Sequence, residues 1–240
     1  MTRATTEDVS VMEAVADQRR ELATLLGGLA PEAWDRPSLC ADWRVRDVVA
    51  HVTMPFRYST RRFITEMIKA HGNFDRMADR CARRDGRASP DELLAVLCQN
   101  ERNPWKPPGG GLASALTHDV IHGQDITVAL DVEHLVPEER LRIVLATITT
   151  PKSLKHIETD LTGIELRASD IDWSFGSGAP LSGSGQDLAL VLCARKLPVG
   201  RLRGASSARF THGARPVTDA VLPPDNPGHV TRPGAGRRRT

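Results

Sequence analysis

Residues 116–126 read L-T-H-D-V-I-H-G-Q-D-I. Leu116, Val120, Ile121 and Ile126, with Leu130 beyond, recur at helical intervals and place this stretch on an apolar helix of about residues 112–130. His118 and His122 are four residues apart, so on a helix both imidazoles share one face, one turn apart. Two neutral imidazoles so placed can share a divalent cation, but a catalytic site ordinarily takes a third protein ligand and keeps one position open. By spacing alone the pair reads first as ordinary helix-surface residues, because it lacks the adjacent Glu of the metalloprotease form. His51, at the end of D-W-R-V-R-D-V-V-A-H (residues 42–51), is the best upstream third ligand. Val45, Val48, Val49 and Val52 give its helix an apolar stripe, and His51 falls close to it.

The neighbouring sequence supplies the rest of a bundle. Val11, Val15, Leu22, Leu25, Leu26 and Leu29 mark a first helix over residues 8–29, ended by Gly27, Gly28 and Pro31. Pro55 should break or kink the second helix, which resumes to about Ala70. Residues 71–87, rich in Arg and Asp, read as a loop or frayed helix. Ser89 and Pro90 open a third core helix. N-P-W-K-P-P-G-G-G (103–111) can be neither helix nor central strand and connects it to the histidine helix. A further helix follows Pro137 and ends at Pro151. The period then changes: residues 164–168 and 172–175 read as strands and 184–195 as a helix.

Three stretches together resemble a known family. P-S-L-C-A-D-W-R-V-R-D-V-V-A-H-V (37–52), the segment from His118 to Ile126, and L-R-A-S-D-I-D-W-S-F-G (166–176) are similar, in order, to the mycothiol-dependent maleylpyruvate isomerases of the DinB-like metal-binding superfamily. The resemblance covers roughly residues 8–200. It implies a mainly α chain: a DinB-like four-helix bundle over residues 8–150 and a small α+β C-terminal domain over 160–204, cut short against the family; from there the sequence departs from it, and the five Pro and five Gly of residues 201–240 read as a disordered Pro/Gly/Arg-rich tail over 205–240. It also implies a metal triad of His51, His118 and His122. The family pattern has Glu where this chain has His118, so a neutral ligand replaces an anionic one and the centre gains a positive unit.

Asp125, three residues after His122, either orients an imidazole or is an exposed carboxylate; Asp119 reads first as exposed. Arg57, Arg61 and Arg62 read first as a solvated basic face, with a clamp for an anionic cofactor or substrate at Arg57 and Arg61 as the sharper alternative. Gly123 inside the helix costs about 1 kcal/mol against Ala and asks for a close neighbour.

Composition excludes several classes. Hydrophobic residues make up 40% of the 240, charged residues 26% and aromatics 4%, so a globular chain with an aliphatic core is expected. Residues 201–240 carry eight Arg and two Asp, so the formal +2 leaves the first 200 residues near −4, which offers no nucleic-acid surface. No apolar run approaches the ~18 residues of a membrane span, and residues 1–8 lack a signal-peptide pattern, so a cytoplasmic monomer or homodimer without membrane or nucleic-acid partners is expected. Cys40, Cys81, Cys98 and Cys193 form no CxxC pair; the last three read as reduced, mostly buried thiols.

Functionally, the resemblance implies a divalent cation, zinc by default with nickel or iron as alternatives, and mycothiol as thiol cosubstrate. The thiolate would add to a conjugated double bond, the adduct would rotate, and elimination would give the trans isomer. The expectation is an isomerase or S-transferase acting on a small electrophile such as an unsaturated carboxylic acid. A non-catalytic metal-stabilised bundle and a metal-dependent hydrolase are the alternatives.

Overall fold

The computed structural model describes residues 6–155 and 159–212. The chain is mainly helical: α1 (Thr6–Gly27), α2 (Val45–Arg57), α3 (Thr60–Lys69), α4 (Phe74–Asp85), α5 (Pro90–Gln99), α6 (Leu112–Leu130), α7 (Glu138–Ile148), the single turn α8 (Pro151–Leu154), and α9 (Gly185–Leu192) after the first strands. A 3-10 turn, Pro31–Asp35, seats Trp34 at 2% exposure in the cluster that holds Leu22, Leu26, Val45 and Val49.

Helix ends follow local chemistry. Ser89 accepts from Glu92 N while the Glu92 carboxylate returns to Ser89 N, a reciprocal cap for α5. α2 starts at Val45 rather than the expected Asp42 or Trp43, because Asp42 takes a left-handed φ of 62° and Asp47 accepts from Arg44 N at 3.0 Å. Pro55 lies inside the last turn of α2, and the break falls at Tyr58–Ser59, with Ser59 capping α3. The polar stretch expected as loop or frayed helix is a regular one. Asn73 caps α4, which buries a narrow stripe of Met77, Ala78, Cys81 and Ala82 while its Arg and Asp residues face outward or pair. Gly86 ends α4 against α2; a Cβ there would lie 2.2 Å from Asp47 Oδ1, so only glycine fits.

The strand-bearing part packs on the bundle. β1 (Ile164–Ala168) is flanked by β2 (Ser174–Gly176), antiparallel, and β3 (Ala179–Gly183), parallel; β3 is a strand the sequence reading did not separate. Ile164, Leu166 and Leu181 on the inner face join Leu188, Val191 and Leu192 of α9, and this cluster continues into Val15, Leu116, Val120, Val144 and Leu145 of the helices. One aliphatic core therefore ties the C-terminal elements to α1, α6 and α7.

The expected tail from residue 205 starts too early. Ser207–Phe210 forms a 3-10 turn with Phe210 6% exposed, and β5 (Thr211–His212) pairs in parallel with β4 (Leu197–Pro198). An aromatic anchor and a strand pair outweigh the local polar composition there. The remainder of that tail, residues 213–240, lies outside the described residues. All four cysteines are free; Cys81 is buried, but Cys98 is exposed, contrary to expectation, because it sits one position past the buried Leu97 on α5. No helix among the described residues is long and apolar enough to cross a membrane.

Candidate metal centre

α2 and α6 pack together with His51 on one and His118 and His122 on the other. One ring nitrogen from each of the three lies within 4.8 Å of the others, a set able to hold a metal ion. His51 Nε2 and His118 Nε2 are 3.3 Å apart. Two ligands of a tetrahedral ion with metal–nitrogen bonds of about 2.0–2.1 Å stand about 3.3–3.4 Å apart, so that spacing suits a small divalent cation. His51 is 7% exposed, and its Nδ1 is a buried atom without a hydrogen-bond partner.

The other two imidazoles are held from behind. His118 Nδ1 faces Asp119 Oδ1 at 2.9 Å, and His122 Nδ1 faces Asp125 Oδ2 at 3.0 Å. Both carboxylates are buried, at 1% and 0% exposure. An ionised carboxylate only accepts, so Nδ1 of each ring carries the hydrogen and Nε2 keeps its lone pair toward the other histidines, the tautomer that ligation requires. Asp125 therefore stands where the sequence pointed. Asp119, expected at the surface, is buried as well, because the α6 face it occupies packs on α1.

Two arginines the sequence reading passed over complete these chains. Arg19, fully buried on α1, donates from Nε to Asp119 Oδ2 at 2.7 Å. Its Nη1 bonds the carbonyls of Asn100, Glu101 and Asn103, fastening the connector that follows α5. Arg19 had a signal: it stands in the repeat Val15, Leu22, Leu26, a charge inside an apolar stripe. Arg195, beyond α9, grips both Asp125 oxygens, Nε at 2.7 Å and Nη2 at 2.8 Å. No local pattern marks it, since its partner is 70 residues away.

Burial pushes the His51 pKa well below its ordinary range, and the neighbouring His122, His118 and Arg195 charges add to this. Burial also lowers His122, with Asp125 working against it. Both rings are therefore neutral near pH 7, as ligands must be. Burial works to raise Asp125, but hydrogen bonds from Arg195 and His122 overcome it and leave the carboxyl below its ordinary pKa. The Cys40 sulfur also lies near His122 and Asp125, a second set close enough to share an ion, and burial drives its thiol up to about 11.

Two indoles wall the centre. Trp43 lies 5.0 Å from the His51 ring and 6.4 Å from that of His122, held by Nε1–H donation to Asp79. Trp105, from the Pro/Gly connector, meets the His118 ring edge to face at 5.4 Å. Gly123 faces Gln18 and Leu22 of α1 at distances where a Cβ would make ordinary contacts, so sterics do not demand glycine there.

The arginines considered as an anion clamp are placed otherwise. Arg57 is spent within the bundle, donating to Asp85 Oδ2 at 2.9 Å, the Ala50 carbonyl at 2.6 Å and Thr53 Oγ1 at 3.3 Å. A buried carboxylate on α4 draws it there, so its donors are not free for a ligand. Arg61 is exposed on α3, and Arg62 stacks on the Tyr58 ring.

Comparison with known proteins bears on this arrangement. Residues 15–103 match the family model described as the mycothiol maleylpyruvate isomerase N-terminal domain. Over this stretch the chain is similar to that family. The matched stretch contains His51, Trp43 and Arg19; α6 lies beyond it. Two crystal structures of the mycothiol-dependent maleylpyruvate isomerase share the fold. One, of a histidine-to-alanine mutant, superposes with a TM-score of 0.57 at 14% identity, covering 85% of this chain and 97% of that one. The other gives 0.52 at 15% identity over the same shares. At such identity the likeness establishes the architecture, bundle and strand-bearing part together. No curated protein sequence matches the chain.

Proposed function

We propose that this chain is a divalent-cation-dependent enzyme of the maleylpyruvate isomerase type, using a small thiol such as mycothiol on a small unsaturated carboxylic acid. The observation that carries the reading is the convergence of His51, His118 and His122, two of them backed by buried carboxylates. These three residues would hold the ion, with zinc the first choice for an all-imidazole set and nickel or iron as alternatives. When bound, the ion would supply a positive centre that favours thiolate over thiol at neutral pH.

The protein's own groups define the rest. Asp119 and Asp125 fix the ring tautomers and offset the charge of an all-neutral ligand set. Trp43 and Trp105 exclude water from two sides of the imidazoles, which strengthens electrostatic interactions within. We read the molecule as acting in the cytoplasm, where low-molecular-weight thiols stay reduced.

The test is an NMR-monitored assay with mycothiol and a cis-configured unsaturated keto acid. The metal-loaded parent should convert cis to trans only with thiol present, and His122→Ala should lose at least ~100-fold of that rate. Cleavage of the keto acid into two products, at the same rate with and without thiol, would move the reading to hydrolysis by the same centre. No conversion by metal-loaded protein would remove the isomerase reading.

A further inference from the structure

α9 ends in an uncommon way. Ala194 takes a left-handed φ of 61°, the position after a helix where glycine is the ordinary choice. Arg195 N reaches back to the Leu190 carbonyl at 2.9 Å and Ala194 N to that of Val191 at 3.0 Å. A non-glycine residue is strained in that conformation, since its Cβ crowds the following carbonyl oxygen. What the turn achieves is the direction of the next side chain. Arg195 leaves the C-terminal elements and lays its guanidinium fork on both oxygens of Asp125, 70 positions earlier on α6. Its third donor group, Nη1, is tied to the Cys193 carbonyl at 3.0 Å, so the fork is fixed at its root. Asp125 is wholly buried, and its backbone carbonyl accepts from Leu39 N at 2.9 Å, locking the α6 backbone at that point.

We infer that Arg195 is a positioning residue for the cation centre, acting through Asp125 to hold His122 in its ligating orientation. The inference rests on the three-histidine reading above and adds that the C-terminal elements complete the centre. An aspartate alone can turn about its side-chain bonds. Gripped at both oxygens, Asp125 presents one fixed acceptor to His122 Nδ1, and the ring's Nε2 then points at His51 and His118. Lysine offers no planar fork, so Arg195→Lys keeps the charge but not the geometry. His118 has an equivalent backing in Asp119 and Arg19, but that chain lies within the helices; only His122 depends on the C-terminal elements.

The test compares zinc affinity, by competition with a chromophoric chelator, for the parent, Arg195→Ala, Arg195→Lys and Arg201→Ala. Arg201 makes the same kind of pair with Asp187, 2.7 Å apart, in the same part of the fold. Metal-free melting temperatures and the visible spectrum of the cobalt form are recorded for each. Arg195→Ala should bind zinc about 10–100-fold more weakly, with Arg195→Lys at least ~10-fold weaker and Arg201→Ala like the parent. The cobalt spectrum should change shape in the Arg195 variants alone. If Arg195→Ala does not fold, Arg195→Lys carries the comparison. Affinities within twofold of a zinc-binding parent overturn the inference and leave the three-histidine reading standing. So does equal weakening by Arg195→Ala and Arg201→Ala, which would mark a general loss of structure. A parent that binds none of zinc, nickel and iron overturns both; where only nickel or iron binds, the same comparison is made with that ion.

Discussion

Replacing Arg19 with alanine is expected to lower the unfolding free energy by about 3–5 kcal/mol, among the largest effects of any single substitution in this chain. The guanidinium is fully buried and paired with Asp119, itself 1% exposed. Truncation removes the positive partner and strands a carboxylate where water cannot reach it. It also removes the Nη1 donor shared by the part-buried carbonyls of Asn100, Glu101 and Asn103, loosening the connector after α5. The Phe56 ring, 4.9 Å from the guanidinium carbon, loses its cation. Urea unfolding of metal-free protein measures the loss. Arg20→Ala, one residue on and exposed, should leave the midpoint near that of the parent. A midpoint equally unmoved in Arg19→Ala would mean that the buried pair is not the tie described. Arg19→Met, apolar and of similar volume, should still be costly, because it too leaves Asp119 without its cation; Arg19→Met combined with Asp119→Leu should recover much of the loss.

The second large effect concerns the ion. A cation that binds the folded chain and not the unfolded one stabilises by RT ln(1 + [L]/Kd), about 4 kcal/mol at roughly a thousand times Kd. The metal-free protein should therefore melt several degrees higher on saturation with zinc, and His122→Ala should show little of that rise. The converging rings give the reason. His51 and His118 present bare or sharing nitrogens to one another at 3.3 Å, with a buried His51 Nδ1 that has no partner. A cation between the rings turns that crowding into coordination. An equal rise in parent and His122→Ala would place zinc elsewhere on the surface.

How much of this was written locally in the chain differs from element to element. α6 is the clear case: its apolar period, the preceding glycines and the His118/His122 spacing define the helix and its facing side, and its bounds fall where the pattern puts them. α4 is the opposite case. Its stripe of Met77, Ala78, Cys81 and Ala82 is too narrow to stand out among Arg and Asp, and tertiary packing against α2 decides it. Asp125 could be proposed from its spacing to His122, whereas Asp119 could not, because only the packing of α1 shows that its face is inside. Arg19 was readable as a charge within an apolar repeat. Arg195 was not, since its contact with Asp125 exists only once the C-terminal elements have docked on the bundle. In the basic run from Arg57 to Arg62 charge alone could not tell a solvated face from an anion clamp; the structure shows the Arg57 donors taken by Asp85 and the Ala50 carbonyl, which only tertiary packing reveals.

Whether His51, His118 and His122 hold an ion together decides the chemistry of the centre. Elemental analysis of the purified protein, beside His51→Ala and His122→Ala, asks this directly. About one zinc, nickel or iron per chain in the parent, and none in either variant, is the result expected of a centre that needs all three rings. A parent that carries no metal, even after incubation with each of the three, would contradict it.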